Sequence, residues 1–150
     1  MLTEVEHLGE EYYMKEVRKR LDNRSELISS NADYFVKCIK DIQSIISDTI
    51  DSGNKIMFCG NGGSAAESQH MAAEYCATLN QKNFRSGFPA ISLTVDTSFI
   101  TAWSNDFGYR DVFLRQVETL GVEGDTLICY STSGKSENIV AAANKASSMN

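Results

Sequence analysis

The sequence has 150 residues, of which 42% are apolar and 23% are charged, and its formal net charge is −6. This length suits one domain with a hydrophobic core, and the proportions are those of an ordinary globular protein. Nucleic-acid phosphates are bound by clustered Lys and Arg, so the negative charge and the lack of a basic run argue against a nucleic-acid partner. No apolar stretch approaches the roughly 18–20 residues of a membrane span, so no membrane partner is expected.

The N-terminus and the cysteines indicate the cellular compartment. Residues 1–11 are acidic and lack the apolar core of a secretory signal. The four cysteines are far apart and form no C-x-x-C pair; they are Cys38, Cys59, Cys76 and Cys129. Disulfides belong to oxidising compartments, for which nothing in the sequence argues. We therefore expect free thiols in a cytoplasmic protein.

Residues from about 4 to 53 have the periodicity of helices. Apolar side chains recur there at intervals of three and four residues, from Leu27 to Ile50. Asn31 is a candidate cap for a second helix, and Gly53 is a natural stop. The sequence therefore predicts an N-terminal helical segment, residues 1–53, ahead of a second region, residues 54–150.

Strands and helices alternate in the second region. The predicted strands are 55–59, 89–95 and 126–130, and the predicted helices are 64–79, 97–103, 109–120 and 136–146. This alternation favours an α/β fold, a doubly wound parallel sheet of flavodoxin-like order. Three strands are fewer than the five or more usual for such a sheet, and a helix after the third strand ordinarily leads to a fourth. We therefore expect an incomplete sheet in a C-terminally truncated chain.

A glycine-rich loop, residues 60–64, follows the first predicted strand and opens a helix. Its sequence, Gly-Asn-Gly-Gly-Ser, permits a tight turn and a close approach of the backbone to a ligand. The free N–H groups and the dipole of the following helix favour an anion. With Ala65 in the last position, the pattern also fits the dinucleotide motif G-x-G-x-x-A. Against that alternative, the next acidic residue at a strand end is Asp96, well beyond the usual spacing of about twenty residues.

A hydroxyl-rich loop, residues 131–136, follows the third predicted strand. Its Gly-Lys-Ser end resembles a P-loop, but that motif needs a glycine where this sequence has Cys129. What remains is four hydroxyl groups on a strand-to-helix turn, which can donate hydrogen bonds to phosphate oxygens. In a sheet of order 2-1-3-4-5, both loops lie at the carboxyl ends of neighbouring strands, where ligands bind. The two loops together predict a phosphorylated ligand.

Three segments resemble the sugar isomerase (SIS) family, most closely its phosphoheptose isomerase subfamily. They are residues 60–74, 96–108 and 131–134. The resemblance implies an aldose–ketose isomerase that converts sedoheptulose 7-phosphate into D-glycero-D-manno-heptose 7-phosphate through an enediol, for bacterial lipopolysaccharide or capsule. It also implies a homotetramer with sites between subunits. The alternative within the family is a non-catalytic phosphosugar-binding or adaptor protein, such as those that associate with a replication initiator.

The resemblance also implies roles for individual residues. His70 and Glu74, four residues apart on one helix face, are the implied zinc ligands, with one zinc ion per subunit and Glu74 as acid–base catalyst. A lone pair of this kind is otherwise usually a solvated surface contact. The family's other ligands, a glutamine and a histidine, come from a C-terminal helix that this sequence does not contain, and two ligands do not complete a tetrahedral zinc site.

The remaining implied contacts are with the substrate. The implied sugar site is Asn61, Gly62, Gly63, Ser64, Glu74, Asn105 and Asp106, and the implied phosphate site is Ser131, Thr132, Ser133 and Ser136. One position departs from the family pattern, because Thr78 stands where an arginine usually faces the substrate. Arg85 is near that position but out of register. The choice of sugar therefore stays open.

Overall fold

The computed structural model describes residues 9–78, 80 and 82–149. Its helices are α1 (Glu10–Ser30), α2 (Ala32–Asp51), α3 (Gly63–Cys76), α4 (Thr97–Phe107), α5 (Val112–Leu120) and α6 (Glu137–Ser147). Its strands are β1 (Ile56–Gly60), β2 (Ala90–Ser92) and β3 (Thr126–Tyr130), and a 3-10 turn, Tyr109–Asp111, precedes α5. The chain divides into two compact units, residues 1–43 and 44–150.

The described part of the first unit consists of α1 and the N-terminal part of α2. Asn31 lies between the two helices, but its side chain serves the end of α1 and not the start of α2, where it was predicted to act as a cap. Its Nδ2 donates to the carbonyl oxygen of Leu27 at 2.8 Å, and its backbone N–H to that of Ile28 at 3.3 Å. The two predicted helices are therefore confirmed, although the part of the prediction before residue 9 lies outside the described residues. No described helix combines the length and the apolar character that a membrane crossing requires.

The second unit is built on a parallel sheet with the order β2-β1-β3. Phe58 in β1 pairs with Ser92 on one side and with Ile128 on the other. All five residues of β1 are buried, as expected for the central strand of a sheet covered on both faces. The prediction of an α/β fold with a parallel sheet is confirmed, and the three strands have the predicted relative order.

Two hydrophobic cores lie on opposite faces of the sheet, because successive side chains of a strand point to opposite faces. Met57 and Cys59 contribute to the first core, and Ile56 and Phe58 to the second. The first core also contains Leu93, Val112, Phe113, Val117, Ile139 and Ala142. The second also contains Ala72, with Ile46, Ile50, Met71 and Tyr75 packed against it. Helices therefore cover both faces, and the carboxyl edge of the sheet carries the polar loops.

The predicted helix 64–79 was too long at its C-terminal end. Helix α3 ends at Cys76, and Ala77 and Thr78 are not helical, while residue 79 lies outside the described residues. The backbone N–H of Phe88 donates to the carbonyl oxygen of Tyr75 at 2.9 Å. The returning chain thus supplies a partner to a carbonyl of the last helical turn, and the helix stops there.

Two further boundaries differ from the prediction. Strand β2 stops at Ser92, where the backbone turns and the hydroxyls of Ser92 and Thr94 lie 2.8 Å apart. Helix α4 continues to Phe107, past the predicted end at residue 103. The rings of Trp103 and Phe107 lie 4.4 Å apart, and aromatic pairs at i and i+4 stabilise a helix.

Candidate functional site

The glycine-rich and hydroxyl-rich loops meet at one small cavity at the carboxyl ends of β1 and β3. Its volume is about 100 Å³, and it is lined by Asn61, Ser64, Tyr130, Ser131, Thr132 and Ser136. A water molecule occupies roughly 30 Å³ of liquid, so the cavity accommodates a group of several heavy atoms. Five of the six lining residues belong to the two loops that the sequence singled out.

Two glycines are required by the geometry of the first loop. A Cβ atom on Gly60 would lie 2.5 Å from the carbonyl oxygen of Ser64, which is closer than real Cβ contacts come. Gly62, the residue before α3, has φ 56° and ψ −120°, a combination that glycine adopts at little cost. The loop therefore folds tightly back on the start of α3.

Backbone donors at the start of α3 are available to an anion. The N–H of Ser64 donates to the carbonyl oxygen of Asn61 at 3.0 Å, and so belongs to the turn itself. The N–H groups of Gly62 and Gly63 have no partner within the described ranges. Because the first N–H groups of a helix lie at the positive end of its dipole, this end of α3 favours a negatively charged ligand.

The second loop presents hydroxyl groups whose protons are free to donate. Ser131 Oγ accepts from the N–H of Gly134 at 3.1 Å, and Ser133 Oγ accepts from the N–H of Lys135 at 3.1 Å. A hydroxyl that accepts one hydrogen bond still has its own proton to donate. Ser136 precedes α6 without capping it through its side chain. The hydroxyls of this loop are therefore suited to phosphate oxygens.

Tyr130 lines the cavity although the sequence did not single it out. Its ring stacks on Phe58 at a centroid distance of 6.3 Å and an angle of 5°. Burial raises the pKa of the Tyr130 hydroxyl, and the charges of Glu67 and Tyr75 raise it further. The phenol therefore stays protonated at neutral pH and can donate a hydrogen bond into the cavity. Tyr130 is the last residue of an apolar strand, where an aromatic side chain is expected in the core, so the sequence did not indicate a role in the site.

His70 and Glu74 lie on one face of α3, as their spacing predicts. His70 Nε2 is 3.9 Å from Glu74 Oε1, and the two side chains are 66% and 34% exposed. Two ligands of one tetrahedral zinc ion, each about 2.0–2.2 Å from the metal, lie roughly 3.3–3.5 Å apart, so a small side-chain rotation would suit the pair. The described residues contain no cluster of three or more His, Cys, Asp or Glu side chains suited to a metal. The pair therefore fits half of a zinc site.

Asn105 and Asp106 lie in the last turn of α4, where both are exposed. Asn105 Nδ2 donates to Asp106 Oδ1 at 2.8 Å. Neither residue lines the cavity between the two loops. Their assignment to the sugar site stays a prediction, as do the substrate contacts of the other named residues.

Arg85 does not take the place of the arginine that is absent at Thr78. Its guanidinium donates to the carbonyl oxygens of Glu74 and Tyr75, each at 3.0 Å, and lies 3.9 Å above the ring of Phe88. The guanidinium of Arg85 therefore uses its hydrogen-bond donors on backbone carbonyls at the C-terminal end of α3. Thr78 Oγ1 donates to the carbonyl oxygen of Asn80 at 3.2 Å.

Two residues that the sequence did not single out contact the first loop. Tyr109 Oη donates to Asn61 Oδ1 at 2.9 Å, and Asn138 exchanges side-chain hydrogen bonds with Asn61, each of 2.9 Å. Asn138 is buried at the start of α6, only two residues after Ser136. A polar residue in the first turn of a helix is common, and Asn138 lies 77 positions from Asn61. No local pattern in the sequence links them.

Comparison with known proteins identifies similar sequences and structures. The family model for the SIS domain matches residues 13–150. The phosphoheptose isomerase of Akkermansia muciniphila is 48% identical over 132 residues, which cover 88% of this chain and 66% of that protein. The phosphoheptose isomerase of Clostridium acetobutylicum is 50% identical over 131 residues, which cover 87% of this chain and 65% of that protein.

A solved structure is similar as well. The phosphoheptose isomerase of Neisseria gonorrhoeae superposes with a TM-score of 0.80 at 33% sequence identity, covering 91% of this chain and 70% of that one. The chain spans just under two thirds of the length of the curated relatives it matches, 66% and 65% for the two named above.

Proposed function

The chain belongs to the SIS domain family, and on that premise we propose that the protein is an aldose–ketose isomerase acting on sedoheptulose 7-phosphate. The observation that carries the proposal is the convergence of the two loops on one cavity, at the end of the sheet where α3 begins. Helix α3 also carries His70 and Glu74. The product would be D-glycero-D-manno-heptose 7-phosphate, and the similar proteins named above are phosphoheptose isomerases.

The phosphate group is proposed to lie in the cavity. The hydroxyls of Ser131, Thr132, Ser133 and Ser136 would donate to its oxygens. The free N–H groups of Gly62 and Gly63 would add two backbone donors and the favourable end of the α3 dipole. Such a site holds a dianion without any lysine or arginine in the cavity lining, which agrees with the acidic composition of the chain.

The position of Glu74 favours a long substrate in its open-chain form. Glu74 is ten positions after Ser64, which lies at the cavity, and ten steps of α-helix rise about 15 Å along the axis. Helical side chains lean back toward the N-terminus, which shortens the gap by part of a turn. A seven-carbon sugar phosphate could bridge much of this distance, whereas a three-carbon one could not. Asn61, Gly63 and Ser64 would then face the sugar between the two ends, with Asn105 and Asp106 nearby.

Glu74 is proposed as the acid–base group. Its carboxylate would take a proton from C1 of the open-chain ketose and return it to C2, while a second proton passes from O1 to O2, so that the intermediate is the enediol and the product is the aldose. Its side chain is 34% exposed, so a ligand can reach it. The hydrogen bonds of Arg85 to the backbone of Glu74 and Tyr75 hold this end of α3 in place.

Zinc is the proposed cofactor, one ion per subunit, with His70 and Glu74 as two of its ligands. When bound, zinc would supply a Lewis acid that polarises the oxygen carrying the developing negative charge. Two further ligands are needed for a tetrahedral site. The assignment is supported by the position of the two side chains, which lie one helical turn apart on α3 with His70 Nε2 3.9 Å from Glu74 Oε1.

The test measures turnover of sedoheptulose 7-phosphate by NMR in Glu74→Gln and in a control, Glu123→Gln. Glu123 is exposed and precedes β3, at the end of that strand opposite the cavity. We expect Glu74→Gln to lose at least about a hundredfold in kcat, as for removal of a general base, and Glu123→Gln to keep its activity. Circular dichroism would establish that both are folded. Full activity in Glu74→Gln would exclude the proposed role.

A non-catalytic phosphosugar-binding or adaptor protein is the second candidate. It is favoured by one observation: within the described ranges, His70 and Glu74 have no third His, Cys, Asp or Glu side chain beside them that could help to hold a metal. Titration with zinc and with sedoheptulose 7-phosphate separates the candidates. Binding of the sugar phosphate without zinc uptake and without turnover would favour the second.

We further propose a cytoplasmic homotetramer with sites between subunits, which serves lipopolysaccharide or capsule synthesis. Exposed apolar side chains on α1 and α2 support the assembly; among them are Tyr12, Met14, Leu21, Tyr34, Val36 and Ile39. Exposed apolar side chains that cluster on a surface are typical of protein–protein contacts. Native mass spectrometry would measure the subunit number, and a monomer at micromolar concentration would contradict the assembly.

A further inference from the structure

Three side chains from different segments meet behind the first loop. Asn61 Nδ2 donates to Asn138 Oδ1, and Asn138 Nδ2 donates to Asn61 Oδ1, both at 2.9 Å, so the two carboxamides form a closed pair. The hydroxyl of Tyr109 donates to Asn61 Oδ1 at 2.9 Å. Asn138 is only 4% exposed. We call these three residues the amide clasp.

The clasp uses most of the hydrogen-bonding capacity of Asn61. A carboxamide oxygen has two acceptor positions, and the amide nitrogen has two donor hydrogens. Both acceptor positions of Asn61 are taken, by Asn138 and Tyr109, and one of its two hydrogens is donated to Asn138. The side chain of Asn61 therefore has one donor left for a ligand, and its main contribution is to fix the loop.

The clasp also links the two loops that border the cavity. Asn61 is the second residue of the glycine-rich loop, directly before the two glycines with free N–H groups. Asn138 follows Ser136 by two residues and is fixed in the first turn of α6. The relative position of the two sets of phosphate donors is thus set by a pair of partly buried hydrogen bonds. Preorganised donors bind an anion more tightly than donors that must be ordered on binding.

We propose that Asn138 and Tyr109 are positioning residues for the phosphate group: through Asn61 they hold the backbone donors of the first loop at a fixed distance from the hydroxyls of the second. This inference rests on the proposed function, because it assumes that the cavity binds phosphate. The clasp lies at the phosphate end of the site, while Glu74 is about 15 Å further along α3. Its loss should therefore raise KM and leave kcat nearly unchanged.

The experiment measures the affinity of the full chain for inorganic phosphate by calorimetry, with KM and kcat for sedoheptulose 7-phosphate alongside. The variants are Asn138→Ala and Tyr109→Phe, and the control is Asn144→Ala, on the exposed side of the same helix. We expect about tenfold weaker phosphate binding for Asn138→Ala, since two hydrogen bonds are lost, and about threefold for Tyr109→Phe, which loses one. The control should bind as the unaltered protein does.

A double variant tests whether Asn138 acts through Asn61. If it does, Asn61→Ala combined with Asn138→Ala binds phosphate no more weakly than the worse single variant, because the second change removes a bond already lost. Additive losses would overturn the inference. Tyr109→Phe removes only a hydroxyl from a half-exposed residue, so it keeps the test valid should Asn138→Ala fail to fold.

The outcomes separate this inference from the proposed function. Phosphate binding without isomerisation would refute the proposed isomerase function. The role of the clasp would then be decided by the affinities of its variants for inorganic phosphate. Unchanged phosphate affinity in folded Asn138→Ala and Tyr109→Phe would overturn the clasp while the isomerase stands. Failure of the unaltered chain to bind phosphate would overturn it as well. An equal fall in kcat and in kcat/KM would also contradict it, because the loss would then lie in the chemical step.

Discussion

Arg85 donates a hydrogen bond from Nη2 to the backbone carbonyl oxygen of Glu74, the proposed acid–base residue, at 3.0 Å. The same guanidinium donates to Tyr75 and Ser86 and lies over the ring of Phe88. The last carbonyls of a helix have no partner within it, so a side chain that supplies donors there acts as a cap. The end of α3 is thus fixed by a residue eleven positions further along the chain.

Replacement of this cap should lower both stability and activity. Arg85→Met keeps much of the apolar stem but removes the donors, and we expect the free energy of unfolding to fall by about 1–2 kcal/mol. Activity should fall as well, because the last turn of α3 positions Glu74. Urea unfolding and turnover measure the two effects. The control is Arg18→Met, whose exposed ion pair with Asp22 should contribute less than about 0.5 kcal/mol. Equal stability of the two variants would contradict the capping role.

Asp125 makes a pH-dependent contribution to stability. Its side chain is 3% exposed, it pairs with the Lys55 ammonium, and it accepts from the backbone N–H groups of Lys55 and Val122, each at 2.9 Å. Burial opposes ionisation, but the hydrogen bonds and the charge of Lys55 outweigh it, and the pKa of Asp125 is lowered. A lowered pKa in the folded state gives stabilisation that is complete above the ordinary value of about 3.9 and is lost as the pH falls through the folded value.

Asp125→Asn should therefore cost about 2 kcal/mol at pH 7 and progressively less below about pH 4. Urea unfolding of both proteins at a series of pH values gives the difference directly. Asp41→Asn is the matched control, because Asp41 forms an exposed ion pair with Lys37 on a helix surface. A difference between Asp125→Asn and the unaltered protein that stays constant down to pH 2 would show that the carboxylate charge has no part in it.

The sequence predicted what depends on local pattern. Apolar runs such as 126–130 and the glycines of the first loop carry their own signal, and the rule for neighbouring parallel strands brings both loops to one edge. What could not be predicted depends on contacts between distant residues. The pairing of Asn61 with Asn138 and the capping of α3 by Arg85 arise only when the chain is folded. Both involve ordinary polar residues whose roles are set by their partners.

The four cysteines should differ in reactivity. Cys59 is fully buried in β1, and its Sγ lies 3.5 Å from that of Cys129, its partner in the register of β3. The hydrogen bond with Cys129, together with burial, raises the pKa of the Cys59 thiol. Because the thiolate is the reactive form, iodoacetamide should modify the exposed Cys76 first and Cys59 last. Peptide mass spectrometry at timed intervals gives the order, with the denatured protein as the control in which the rates converge. Early labelling of Cys59 would contradict the burial and packing of this strand.

Two glycines of the first loop provide a matched test of its geometry. A Cβ on Gly60 would lie 2.5 Å from the backbone oxygen of Ser64, so Gly60→Ala must displace backbone at the start of α3. A Cβ on Gly63, the first residue of α3, would meet nothing within 4 Å. We expect Gly60→Ala to lower the free energy of unfolding by about 2 kcal/mol or more, as overpacking does, and Gly63→Ala to be neutral or slightly stabilising.

The affinity for the ligand should distinguish Gly60→Ala from Gly63→Ala in a different way from their free energies of unfolding. Gly60→Ala moves the loop and should weaken binding together with stability. Gly63→Ala keeps the backbone, so any loss of affinity for sedoheptulose 7-phosphate in this variant must come from the added methyl group meeting the ligand. Urea unfolding gives the free energy of unfolding of each variant, and calorimetric titration gives the affinity of each for the ligand. Equal stability of the two would contradict the close approach of Gly60 to Ser64. A stable Gly63→Ala that binds inorganic phosphate normally but the sugar phosphate weakly would locate the sugar beside the start of α3.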